Sequence, residues 1–147
     1  MKNLALYTIP IGYMIVYVVL ILISGLWLFL LSQGLASSEG IFETLKNIID
    51  APESKSLEGI IEVATPHVFA IGTLVFVVAH FMLFSTKVSQ KYALMVAMLL
   101  FVFALFDIFS YLLITFGVLV SGWIKLLFMA AFVLLFLVML GMVGFSL

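Results

Sequence analysis

Residues 93–120 read ALMVAMLLFVFALFDIFSYLLITFGVLV, an apolar block whose one charged side chain is Asp107. A helix rises about 1.5 Å per residue, so about 20 residues cross a hydrocarbon core of about 30 Å. The block is long enough to span a membrane. A water-soluble core helix of this length would need a polar face toward solvent, and none runs along it. A transmembrane β-strand would instead read as about ten residues of alternating hydrophobicity.

Three further runs have the same character, and together they decide the fold. Spans are expected at about 9–31, 66–85, 93–118 and 123–146, within a single transmembrane domain covering 1–147. The chain is 67% hydrophobic and only 9% charged, against roughly a quarter charged in soluble proteins. The expectation is an all-α integral membrane protein, a four-helix bundle of up-down topology. The first run follows Lys2 and precedes small residues at Ala36, Ser37 and Ser38, the outline of a signal peptide. Its apolar core is far longer than the ~7–15 residues of a signal h-region, so it reads as a retained anchor.

Between the first two spans lies a polar connection with a pattern of its own. Ser37 or Ser38 can cap a helix with Glu39 and Glu43 in its first turn, where carboxylates suit the positive end of the helix dipole. Ile41, Phe42, Leu45, Ile48 and Ile49 then fall on one stripe, as in an amphipathic helix lying on a membrane surface or across the bundle. The amphipathic outer segment is expected over about 38–63. A break at Ala51-Pro52 precedes a second short helical turn, and Pro66 is expected in the first turn of the second span.

Lysines set the expected orientation. Lys2 precedes the first span, and Lys87 and Lys91 lie in the turn between the second and third, so they share one side. Across the membrane, Lys46 and Lys55 are outnumbered by Glu39, Glu43, Asp50, Glu53, Glu58 and Glu62. The positive-inside rule then places both termini in the cytoplasm, most naturally of a bacterial inner membrane, with Lys125 snorkelling outward beside the acidic connection. Such an acidic surface could dock a lysine-rich soluble electron carrier.

Several functions are excluded by composition. There is no cysteine, hence no disulfide, thiolate metal site or covalently attached c-type haem. All six basic residues are lysines and the net charge is −1, which argues against a nucleic-acid groove. Phosphate loops, dinucleotide fingerprints and nucleophile elbows are missing, and too little polar chain is left for a soluble catalytic domain. The protein is not expected to be an enzyme on its own.

Ionisable groups inside the bilayer are therefore the functional candidates. They are His67 and His80 on the second span and Asp107 on the third, with Thr73, Ser110 and Tyr111 as polar neighbours. Imidazole is the common axial ligand of haem b, so His80 and His67 are candidate ligands of haem iron. Two histidines at different depths of one helix are similar to the arrangement in membrane cytochromes b, a likeness confined to that helix. Thirteen residues turn a helix by about 1300°, so the rings face about 140° apart, and one chain has only enough histidines for one bis-histidine haem. His67, beside Pro66, also suits a place at the polar interface, and His80 a structural hydrogen bond, for instance to Thr73. Asp107 is expected to bond to Tyr13, Tyr17 or Ser24 of the first helix, to His80 if tilt closes their depth difference, or to a partner chain.

Three readings follow. The first is a b-type haem-binding or electron-transfer subunit of a membrane redox complex. The second is a non-redox accessory or assembly subunit, part of a larger complex or a homo-oligomer. The third is a small proton or solute conductor relaying through Asp107 and the histidines.

Overall fold

A computed structural model describes residues 7–38, 40–52, 56–83, 85 and 87–146. Among the described residues five helices follow one another: α1 (Thr8–Ser32), α2 (Ile41–Asp50), α3 (Leu57–Met82), α4 (Gln90–Thr115) and α5 (Trp123–Ser146). No strand occurs among the described residues. Four of these helices are long and apolar enough to cross a membrane, and α2 is the short extra helix of the first connection. The protein is an all-α, up-down bundle of four transmembrane helices, as its apolar runs require.

The bundle is asymmetric. Helix α4 packs extensively on both α3 and α5, α3 also meets α5, and α1 rests mainly against α5. The core joins Val75, Val78 and Met82 of α3 to Ala97, Leu100 and Ala104 of α4 and to Phe136, Met139 and Val143 of α5. Small residues on α4 let its neighbours approach closely, as is usual where helices pack in lipid. Helix α1 adds Ile11 and Val18 to this core, with Met14, Ile15, Val19 and Leu22 packed against it half-buried, and its next fully buried residue is Leu30. Between Val18 and Leu30 no residue of α1 is fully buried, and there the helix leaves a gap beside α3.

Helix α3 corrects the expected helix start at Pro66. It runs unbroken from Leu57, with Ser56 as N-cap accepting the Gly59 N–H at 3.1 Å, and Pro66 lies in its interior. Interior proline removes one backbone hydrogen bond, which a membrane helix tolerates where neighbours re-satisfy the freed carbonyl. The second span therefore starts as a helical extension carrying Glu58 and Glu62, and His67 lies about 15 Å along the helix from Leu57. It is not a helix-start residue.

The cap of α2 also differs. Gly40, at φ 142°, is its N-cap without a side-chain cap bond, while Ser38 Oγ pairs with Thr44 Oγ1 at 2.7 Å. Glu39 lies outside the described residues. The buried stripe of α2 centres on Thr44 and Ile48, whereas Phe42 is 90% exposed and belongs to the opposite face. The turn between α4 and α5 receives α2: Gly122 N–H and Ser121 Oγ both donate to the Ile49 carbonyl, at 3.2 and 2.8 Å. A Cβ at Gly122 would lie 2.0 Å from the Ile48 carbonyl oxygen, so only glycine permits this approach.

Candidate functional site

Helix α4 ends earlier than its apolar run. Gly117, at φ 71°, terminates it, with the Gly117 and Val118 N–H groups donating to the Ile114 and Leu113 carbonyls, both at 2.9 Å. Asp107 consequently lies only about 12 Å from the helix end, in the half of the span nearer α2. Helix α5 restarts at Trp123 and returns Lys125 toward the same level.

Lys125 does not snorkel outward. Its residue is 6% exposed, and Nζ donates to Asp107 Oδ1 at 2.7 Å and to the Asp107 backbone carbonyl at 2.9 Å. Ser110 Oγ donates to the same carbonyl at 2.7 Å. The cation also lies over the rings of Tyr111 and Phe29, 5.2 and 5.6 Å from their centroids. A carboxylate and two ring faces replace the water that this ammonium gives up, which is why it can stay in the bundle. The partner expected for Asp107 on α1 is thus replaced: Tyr13 and Tyr17 are exposed, and Ser24 Oγ bonds to the Ile21 carbonyl. Tyr111 instead provides the polar link to α1, its hydroxyl accepting from Gln33 Nε2.

Beside the ion pair, the divergence of α1 leaves a cleft of about 610 Å³. Its walls come from all four spans, toward their α2 side: Ile21 to Ser32 of α1, Gly59 to Leu74 of α3, Asp107 to Tyr111 of α4, and Lys125 to Phe136 of α5. Most of the lining is aliphatic or aromatic. Ser32, His67, Asp107, Tyr111 and Lys125 supply side-chain polar groups. The Asp107 side chain keeps 20% exposure on this cleft. The size falls in the usual range of small-molecule sites, about 300–1,000 Å³, and a few polar groups in an apolar wall are their usual composition.

The two histidines are not brought together. His67 lines the cleft, with its Nδ1 2.8 Å from the Val63 carbonyl one turn earlier. His80 sits two residues from the C-terminal end of α3, stacked on Phe76 with centroids 5.9 Å apart, in a separate groove of about 220 Å³ against α4. Asp107 and His80 occupy different cavities, and Thr73 lines neither. Ser110 and Tyr111 do gather around Asp107, as the i+3 and i+4 spacing implies. The sequence reading missed Lys125, Gln33 and Phe29. Lys125 carried a usable signal, since it and Asp107 are opposite charges inside the apolar runs of adjacent spans.

A family model described as a transmembrane helical domain, Aq_1264_TM, matches residues 35–147. The chain belongs to this family. The matched region of Aq_1264_TM takes in α2 to α5 and both members of the ion pair, whereas α1, the remaining wall of the cleft, precedes it. No curated protein and no solved structure matches the chain.

Proposed function

We propose that this protein binds a membrane-soluble amphiphile in the cleft between α1 and α3, admitting it sideways from the lipid. The observation that carries this reading is the placement of the Lys125–Asp107 pair, Tyr111 and His67 along a wide and otherwise apolar cleft of about 610 Å³. A cleft this size beside an unpacked α1 cannot stay empty in a bilayer, because hydrocarbon fills any apolar gap open to it. The polar groups at its outer end give one molecule an advantage over bulk acyl chains. Photo-crosslinking tests it. A lipid with a diazirine in its tail should label α1 and α3 residues facing the cleft, such as Leu22 and Ile71, above the rest of the lipid-facing surface. Uniform labelling of all outward faces would contradict it.

Haem ligation by His67 is a second reading with one observation in its favour. The contact of Nδ1 with the Val63 carbonyl fixes the ring as metal-binding histidines commonly are, leaving Nε2 for iron. His80 opens on the other groove, so the two histidines do not fit a bis-histidine haem within one chain. A sixth ligand would come from another chain. A Soret band lost in His67→Ala and kept in His80→Ala supports this reading, and its absence in protein purified from haem-replete cells opposes it.

The orientation is proposed with both termini cytoplasmic, on the support of Lys87 and Lys91 at the α3–α4 turn and of Glu43, Asp50, Glu58 and Glu62 at the opposite end.

A further inference from the structure

We propose that the cleft selects an amphiphile with an uncharged, oxygen-bearing head, such as a hydroxyl or carbonyl group on a long apolar tail. This rests on the reading that the cleft binds an amphiphile, and it names the class. The decisive feature is that the two charges at the polar end already neutralise each other. Lys125 is committed to the carboxylate and backbone carbonyl of Asp107 and is roofed by the rings of Phe29 and Tyr111. An anionic head would have to draw the ammonium off a carboxylate 2.7 Å away, and a cationic head would have to displace that ammonium. Either would also bring a net charge into a wall that is otherwise aliphatic and aromatic, where uncompensated charge is costly.

A neutral head meets no such obstacle. Asp107 is partly open to the cleft and can accept from a hydroxyl, while the Tyr111 hydroxyl, Ser32 and the His67 ring offer further polar contacts at the same end. From Lys125 to Phe136 the cleft wall on α5 extends about 16 Å inward, and Ile71, Leu74 and Val133 flank it. That geometry seats a head near the outer interface and a tail toward the bilayer centre, the arrangement the molecule would already have in lipid.

The test uses three probes with the same oleyl-length tail: monoolein (uncharged), oleate (anionic) and oleylamine (cationic). Each is titrated against the detergent-purified full chain, and bound probe is read by native mass spectrometry. In the wild type, monoolein should bind at least tenfold more tightly than either charged probe. Asp107→Asn leaves Lys125 without its counter-charge and should shift the ranking toward oleate by tenfold or more. Lys125→Met should shift it toward oleylamine. Ala70→Trp, which fills the cleft from an exposed position of α3, should abolish binding of all three. Because the wild-type ranking is informative without any variant, a folding defect in Asp107→Asn or Lys125→Met does not protect the proposal. Equal binding of the three heads, all lost in Ala70→Trp, overturns head selection while leaving the cleft as a binding site. Failure of every probe to bind the wild type overturns both. A stable dimer that Ala70→Trp dissociates would mean that a second copy fills the cleft, and this too overturns the proposal.

Discussion

Replacing Lys125 by Met removes the cation beside Asp107 and leaves a carboxylate in the bundle without its counter-charge. At 2.7 Å, two unit charges attract by about 6 kcal/mol for an effective dielectric constant of about 20. Placing an aspartate and a lysine within a membrane helix costs about 2.5–3.5 kcal/mol each at the helix centre. Attraction and insertion cost nearly cancel, so the intact pair contributes little net stability, and its loss as a pair should cost little. Breaking it is a different matter. Removing one partner of a buried pair costs about 3–5 kcal/mol, and the partial exposure of Asp107 on the cleft places Lys125→Met near the lower figure. Asp107→Leu strands Lys125 and should cost about as much, whereas the double variant Lys125→Met/Asp107→Leu should lie within about 1 kcal/mol of wild type. Reversible unfolding by SDS in mixed micelles measures all four proteins of this cycle. Additive losses in the double variant, or single variants within about 0.5 kcal/mol of wild type, would refute the reasoning.

Other consequences can be checked separately. Tyr111→Phe removes the acceptor of the Gln33 bond and frees the C-terminal end of α1; a net hydrogen bond of about 1 kcal/mol corresponds to roughly fivefold more opening. In a Leu30→Cys background, clean because the chain has no native cysteine, maleimide labelling should rise by that factor, and an unchanged rate counts against the tether. Gly122→Ala forces α2 off the α4–α5 turn and gives up two hydrogen bonds to Ile49, a loss of about 1–3 kcal/mol in docking. Trypsin should then cut faster at Lys46, and equal cleavage would mean that α2 is held elsewhere. For the orientation, a single cysteine at Ser37 should react with an impermeant reagent applied to intact cells while one at Gln90 should not; the reverse pattern inverts the topology.

Much of the architecture was legible because a bilayer demands long apolar helices, and apolar runs are visible in sequence. The α2 helix was visible for a related reason, since Leu45, Ile48 and Ile49 recur at helical spacing. Its cap and its buried stripe were not: Thr44 turns inward to bond Ser38 and the Gly40 carbonyl, and the far end of α2 is held through Ile48 and Ile49 by the Ser121-Gly122 turn, a contact far along the chain. Pro66 misled for a local reason: proline favours helix starts, but Ser56 supplies a better cap ten residues earlier, and helix propagation through one missing bond costs less than a new start. The site was legible only in part. Asp107 stood out energetically, and Ser110 and Tyr111 followed from helical spacing. Lys125 was read as interfacial because its apolar run appeared to begin beside it. The helix ends at Thr115 and Trp123 set the depths of the two charges, and those ends depend on Gly117 and on the packing of the turn. The cleft itself could not be read at all, since it arises where α1 fails to pack, and no single-helix pattern records an absent contact.

The most direct test of the account is what the purified protein carries out of the membrane. Native mass spectrometry of the wild type, released from mild detergent, should show a retained amphiphile of defined mass, and Ala70→Trp, with the cleft filled, should emerge without it. A wild type free of any adduct, or an adduct equally retained by Ala70→Trp, would contradict the claim that this cleft is a binding site.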